Sequence, residues 1–263
     1  MEIQKTLFHC SRDGLTIQGT EYRPEGGCLP PIIVSHGFMA NQSSVRHYAK
    51  RLAQWGFAAY CFDFCGGGLS SKSDGRTTDM TIFTEQADLE AVIAHVQSLP
   101  YVDPSRLVLM GCSQGGFVSA LTAAKLHSQI AKLALFYPAL CIPDDARAGK
   151  MMFAKFDPDN IPDVIPCGPM KLGRDYAASV QKIDPFAAIA PYPGQVLILH
   201  GKKDSIVNFQ YAVKAADAYE SRRAGRCTLY LLEQAGHGFG KRSDVRALTE
   251  LQNFLQQDIG RIT

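Results

Sequence analysis

Three polar side chains, far apart along the chain, have the residue types of acyl-transfer chemistry. They are Ser113 in Gly111-Cys112-Ser113-Gln114-Gly115, Asp204 in His200-Gly201-Lys202-Lys203-Asp204, and His237 between Gly236 and Gly238. A serine hydroxyl is a weak nucleophile at neutral pH and needs a positioned base, most often a histidine whose other ring nitrogen is held by a carboxylate. The Gly-x-Ser-x-Gly spacing has a mechanical basis. A serine on a sharp strand-to-helix turn sits in strained backbone geometry, and its neighbours two positions away must lack side chains that would collide. Gly111 and Gly115 meet that requirement, between the apolar run 107–110 and a helical pattern over about 115–126. The order nucleophile, acid, base along the chain assigns Asp204 and His237 to Ser113, with Asp63 and Asp184 as the alternative acids.

Attack on an acyl carbon develops an oxyanion, and each backbone N–H aimed at it is worth about 10²–10³ in kcat. The sequence offers the amide of Gln114, directly after the nucleophile, and that of Phe38 in His36-Gly37-Phe38, which follows the apolar run 32–34. The other histidines read as packing or surface residues: His9 beside the opening hairpin, His47, His95 and His127 in helical segments, and His200 buried and hydrogen-bonded at the end of an apolar run.

These loops need a scaffold that brings them to one edge. Residues 3–8 and 15–22 read as two strands joined by a turn containing Asp13-Gly14, a dipeptide that supplies the positive φ of a tight hairpin. Short apolar runs then alternate with helical patterns. Thr81 caps one helix, whose apolar positions Ile82, Leu89, Val92, Ile93 and Val96 recur at helical spacing. Strands separated by helices predict βαβ units, hence an α/β fold with a mostly parallel sheet covered on both faces. The alternation lapses over about 141–192 and resumes at 196–199. Eight of the 14 prolines lie between 140 and 193, alongside Met151, Met152, Phe153, Phe156 and Met170. That stretch is too proline-rich for long helices and too apolar for a solvated linker, so it predicts a small lid inserted into one domain spanning 1–263.

With 27 Lys+Arg against 25 Asp+Glu, scattered, the chain has no electrostatic footprint for nucleic acid or anionic lipid. No apolar stretch approaches the roughly 18 residues of a membrane span, and the N-terminus has no secretory h-region. These features predict a cytoplasmic chain without a membrane partner. The eight cysteines form neither a Cys-x-x-Cys pair nor a zinc-spaced cluster, so they read as small apolar residues, buried at Cys61 and Cys112, with no structural metal.

The segments 36–41 (His-Gly-Phe-Met-Ala-Asn), Asp63-Phe64 with its glycines, 111–116 (Gly-Cys-Ser-Gln-Gly-Gly) and 156–162 (Phe-Asp-Pro-Asp-Asn-Ile-Pro) together resemble the α/β-hydrolase serine esterases that cleave hydroxycinnamate esters, the cinnamoyl or feruloyl esterases of gut bacteria. The resemblance covers nearly the whole chain. It implies an α/β-hydrolase fold with an antiparallel N-terminal hairpin, a cofactor-free carboxylesterase acting on small-molecule esters, and catalytic positions at Ser113, Asp204 and His237 with Phe38 and Gln114 as oxyanion donors. It also places Asp145 and Tyr176 where relatives bind the hydroxyl of the aromatic acyl group. In relation to them, Arg174 and Asp175 beside Tyr176, and Cys65 with Gly66-Gly67-Gly68, are departures. A homodimer is compatible with the sequence. A serine peptidase or acylaminoacyl hydrolase of the same fold, and a noncatalytic binding protein that retains the fold, are the competing readings.

Overall fold

A computed structural model of the protein describes residues 2–221 and 224–256. The chain opens with β1 (Ile3–Arg12) and β2 (Leu15–Pro24), paired antiparallel from Ile3↔Pro24 to Arg12↔Leu15. Asp13 and Gly14 form the two-residue turn at φ 50° and 82°, as the dipeptide predicts. Then follow β3 (Pro31–Ser35), α1 (Gln42–Gln54), β4 (Ala58–Phe62), α2 (Ile82–Gln97), β5 (Val108–Cys112), α3 (Gln114–Lys125) and β6 (Lys132–Phe136). After an irregular interval the pattern closes with β11 (Gln195–Gly201), α7 (Gln210–Glu220), β12 (Cys227–Leu232) and α8 (Lys241–Gln256). Thr81 caps α2 with a reciprocal box, its hydroxyl taking the Thr84 N–H at 3.0 Å while Thr84 Oγ1 takes the Thr81 N–H at 2.8 Å.

The main sheet runs β1-β2-β4-β3-β5-β6-β11-β12. The β1–β2 and β2–β4 pairings are antiparallel and the rest parallel. The strands β3, β4, β5 and β6 are buried at every position and mainly apolar, because alternate residues feed two different cores. Ile33, Leu109, Leu133, Leu135, Val196 and Ile198 pack on the face covered by α2, α3 and α7. Ile32, Val34, Val108, Met110, Ala134, Phe136, Leu197 and Leu199 pack on the other, under α1 and α8.

The interval between β6 and β11 holds four short strands in two antiparallel hairpins and three short helices: α4 (Ile142–Arg147), β7 (Lys150–Met151), β8 (Ala154–Lys155), β9 (Val164–Cys167), β10 (Met170–Gly173), α5 (Arg174–Ala178) and α6 (Pro185–Ile189). Ile165, Cys167, Met170 and Leu172 are fully buried in the same core as α2 and α3, so this segment is packed down rather than solvated. Thr77 Oγ1, in the loop after β4, donates to the Lys171 carbonyl at 2.6 Å and ties the segment to the sheet's loops.

β4 lies on one side of β3 and β5 on the other, so the loops leaving β3 and β5 diverge and open a crevice at their C-terminal ends. Doubly wound sheets place ligands at such a reversal of strand order.

Candidate active site

Ser113 stands between the last residue of β5 and the first of α3, at φ 54°, ψ −120°, a left-handed conformation costly for a residue with a side chain. Its surroundings enforce it. A Cβ on Gly111 would lie 2.2 Å from the Gly115 carbonyl oxygen, and one on Gly115 would lie 2.2 Å from the carbonyl oxygen of His36. The second glycine is therefore required by the strand exit across the crevice as well as by the turn. The Ser113 carbonyl accepts from the N–H groups of Gly116 and Ala139, each at 2.9 Å, and its own N–H donates to the Phe136 carbonyl at 2.9 Å.

Ser113 Oγ lies 3.0 Å from His237 Nε2, and His237 Nδ1 lies 2.8 Å from Asp204 Oδ2. Asp204 follows β11 and His237 follows β12, so neighbouring parallel strands deliver both to the edge where β5 delivers Ser113. The Tyr137 ring stands edge-on to the imidazole at 4.8 Å between centroids, fixing its plane. The Asp204 side chain is fully shielded from solvent, yet well supplied with donors. Oδ1 accepts from the N–H groups of Ile206 and Val207, both at 2.9 Å, and Oδ2 faces His237 and, at 3.1 Å, Nε2 of His200. Burial alone would raise this carboxyl, but the two histidines and the Val207 amide hold it well below the usual carboxylate range.

The alternative acids are engaged elsewhere. Asp63 takes the Gln42 and Lys72 amides at 2.7 and 2.8 Å, bracing the loop after β4, and Asp184 caps α6 through the Phe186 and Ala187 amides at 2.9 and 3.2 Å.

The Phe38 and Gln114 N–H groups have no acceptor among the described residues, and both residues line a cleft of about 430 Å³ together with Ser113, Asp145 and Tyr176. The loop carrying Phe38 is braced by His36, which is fully buried: Nδ1 donates to the Gly37 carbonyl at 2.8 Å and Nε2 accepts from the Phe64 amide at 3.2 Å. That pairing requires a neutral imidazole, and burial pushes its pKa down accordingly.

Tyr176 is only 3% exposed. Its hydroxyl donates to Gln114 Oε1, and Gln114 Nε2 donates at 2.7 Å to Glu85 Oε2. A polar chain thus runs from α5 through the first residue of α3 to α2, and the Tyr176 ring leans on Phe38 at 5.8 Å. Asp145 is partly exposed, 3.5 Å from Lys150 Nζ. Arg174 pairs with Asp163 at the surface, on the far side of Gly173 from the β9 hairpin partner. Glu85 is 1% exposed, and burial, reinforced by nearby Asp88 and only partly offset by Gln114, pushes its pKa well above the ordinary carboxylate value. Sequence reasoning passed over Glu85, although the signal was present: Ile82, Glu85, Leu89, Val92 and Val96 share one helical stripe, and an acid on an apolar stripe calls for a partner.

The remaining histidines do other work. His95 stacks on Phe8 at 5.1 Å, His47 stands 3.8 Å from Asp244, and His9 faces solvent near Gln18. The cysteines are free. Cys61, Cys65, Cys112, Cys141 and Cys167 are buried, whereas Cys28 is exposed in the loop before β3, which departs from the expectation of burial.

Residues 30–182 match the family described as serine aminopeptidase, S33, and residues 168–261 match the prolyl oligopeptidase family. Among solved structures, Est1E from Butyrivibrio proteoclasticus with ferulic acid bound superposes with a TM-score of 0.88 at 27% identity, covering 97% of this chain and 100% of that one. Among curated proteins, the quorum-quenching protein AidA of Acinetobacter baumannii is 33% identical over 105 residues, 39% of this chain and 34% of its own length. Human monoglyceride lipase is 28% identical over 145 residues, 54% of this chain and 46% of its own length. The chain thus spans a third to a half of these curated relatives. The first family match covers β3 to β6, the turn that carries Ser113 and much of the interval that follows, on a fold whose superposition extends nearly end to end, and the chain belongs to the serine aminopeptidase S33 family of α/β hydrolases.

Proposed function

We propose that the protein is a serine carboxylesterase in which Ser113, His237 and Asp204 act as nucleophile, base and orienting acid, with a preference for hydroxycinnamoyl esters. The observation that carries the reading is the unbroken contact line Ser113 Oγ, His237 Nε2, His237 Nδ1, Asp204 Oδ2 at 3.0 and 2.8 Å, with two unused amides beside it. His237 takes the Ser113 proton as Oγ attacks the ester carbonyl. The Phe38 and Gln114 N–H groups stabilise the oxyanion, and collapse expels the alkoxide, which takes its proton from His237. Water, deprotonated by His237, then releases the acid and restores Ser113. Asp204, held ionised, stabilises the imidazolium that forms at each stage.

Two features support an aromatic, hydroxylated acyl group: the likeness to Est1E, which has been solved with ferulic acid bound, and a cleft of mainly apolar lining with Asp145, Gln114 and Tyr176 as its polar groups. Tyr176 and Asp145 are the residues assigned to the phenolic hydroxyl. The peptidase reading is favoured by the description of the family itself. A panel of methyl ferulate, p-nitrophenyl acetate and aminoacyl anilides on the purified protein separates the two. The esterase reading expects the highest kcat/KM on methyl ferulate, and faster turnover of an anilide than of either ester would overturn it. No helix among the described residues is long and apolar enough to cross a membrane.

A further inference from the structure

His200 is the last polar side chain on β11 before the loop that carries Asp204, and it faces the same core as Val196 and Ile198, four and two residues earlier. It is fully buried. Its Nε2 lies 3.0 Å from the Val207 carbonyl oxygen and 3.1 Å from Asp204 Oδ2, whereas its Nδ1 is buried with no hydrogen-bond partner among the described residues. The tautomer follows from these neighbours. Two acceptors converge on Nε2 and none of them could serve a bare lone pair, so the proton resides on Nε2, and the orphaned Nδ1 is the unprotonated nitrogen. A buried acceptor left unpaired costs about 1–3 kcal/mol. The fold accepts that cost where a leucine or phenylalanine would fill the space, which points to a use for the single N–H it retains.

We propose that His200 is a positioning residue that sets the strength of the Asp204–His237 contact by placing a second N–H dipole on the same carboxylate oxygen. Asp204 Oδ2 lies 2.8 Å from His237 Nδ1 and 3.1 Å from His200 Nε2, whose N–H also reaches the Val207 carbonyl, while Oδ1 accepts from the Ile206 and Val207 amides. An acceptor shared by two donors is a weaker partner to each, so His200 keeps the carboxylate ionised yet limits how strongly it stabilises a protonated His237. The base is thereby kept free to accept a proton at lower pH. The same N–H pins the carbonyl of Val207, whose side chain lines the cleft, so acid, base and pocket wall share one anchor.

The other titratable groups around this cluster stay out of its titration or are distant from it. Tyr137 faces His237 and is buried, with its pKa pushed far up, and Cys112 behind it is pushed up to about 12 by burial. Tyr48 is likewise raised by burial and donates to Asp244, which lies 3.8 Å from His47 Nε2. Lys202 and Glu233, flanking the loops, pair with each other at 2.6 Å.

This inference rests on the triad reading and is tested by the pH dependence of kcat/KM for p-nitrophenyl acetate in His200→Phe and His200→Gln. Because Nδ1 has no partner, phenylalanine deletes a single donor. Glutamine carries an amide N–H at the reach of Nε2 and should retain it. The acid limb is expected to move to higher pH by about half a unit or more in His200→Phe and to stay with the wild type in His200→Gln. An unmoved limb in folded His200→Phe, whatever the loss of rate, or an equal displacement in both variants, reduces His200 to a packing residue. Should phenylalanine prevent folding, His200→Asn, whose amide sits at the level of Nδ1, takes its place with the same expectation. Proton NMR of the low-field His237 Nδ1–H, read without substrate, is expected to move downfield on loss of the His200 donor. A fixed resonance overturns the proposal even where the triad stands, and undiminished esterase activity in Ser113→Ala overturns the triad reading instead.

Discussion

The rim of the sheet and the ground beneath the inserted segment each bury a carboxyl group within the same site, and they push its pKa in opposite directions. Asp204, on the loop after β11, meets two backbone N–H groups on one oxygen and two imidazole nitrogens at the other, and is held below the usual carboxylate range. Glu85, on α2, accepts from the Gln114 amide, has Asp88 for a neighbour, and is pushed well above that range, burial being the largest cause. Both are shielded from water, so burial alone does not decide the direction. The number and kind of donors does. An anion at the rim can stabilise an imidazolium, and the acid under the cleft anchors the Gln114–Tyr176 chain.

The comparison is broken most severely by removing what the rim serves. Ser113→Ala is expected to lower kcat/KM on p-nitrophenyl acetate by about 10⁵ or more, measured by initial rates with the fold verified by circular dichroism. Asp204→Asn keeps the shape but removes the charge, and a loss of about 10³–10⁴ in kcat is expected, because the imidazole then lacks both its orienter and its counter-charge. A drop below tenfold would place the acid elsewhere.

The rim was the more legible of the two regions in the sequence. Ser113, Asp204 and His237 were readable because each sits in a glycine-containing loop after an apolar run, and strands buried on both faces announce themselves as such runs. Glu85 and the second histidine on Asp204 were not, since their roles depend on which helix packs against which strand, information that a one-dimensional pattern does not carry. The start of α2 and both ends of α3 were legible to within a residue, where periodicity and capping act locally. The hairpins between β6 and β11 were not, because strands of two to four residues leave no period to detect.

Strain at the rim gives the next effect. In Gly115→Ala the new methyl would meet the His36 carbonyl oxygen at 2.2 Å, and we expect a stability loss of about 1–3 kcal/mol or more in urea denaturation, since backbone rather than a flexible side chain must give way. Under the cleft, Glu85→Gln keeps the side chain's size and removes its titrating proton. A carboxyl whose folded pKa is raised contributes its full stability below the unfolded value, ordinarily 4.5, and loses it as pH rises toward the folded value. The glutamine variant should therefore gain on the wild type from about pH 4.5 upward, at no more than ~1.4 kcal/mol per pH unit, in urea titrations from pH 5 to 8. A variant that instead loses ground as pH rises would mean that Glu85 is ionised in the folded protein. The smallest effect belongs to Tyr176→Phe, which removes the hydroxyl proposed to meet the phenolic group and is expected to lower kcat/KM on methyl ferulate about five- to tenfold, with a smaller loss on p-nitrophenyl acetate, which lacks that group but still uses the Gln114 residue that Tyr176 holds.

The central claim is that the Ser113 oxygen becomes a nucleophile because His237 and Asp204 converge on it. Intact-mass and peptide mass spectrometry after treatment with a fluorophosphonate tests it most directly, since the reagent loses fluoride as it bonds to an activated serine oxygen. The account predicts a single adduct, on Ser113, that is strongly diminished in Asp204→Asn and absent in Ser113→Ala. An unlabelled wild-type protein, or an adduct carried by another residue, would contradict it.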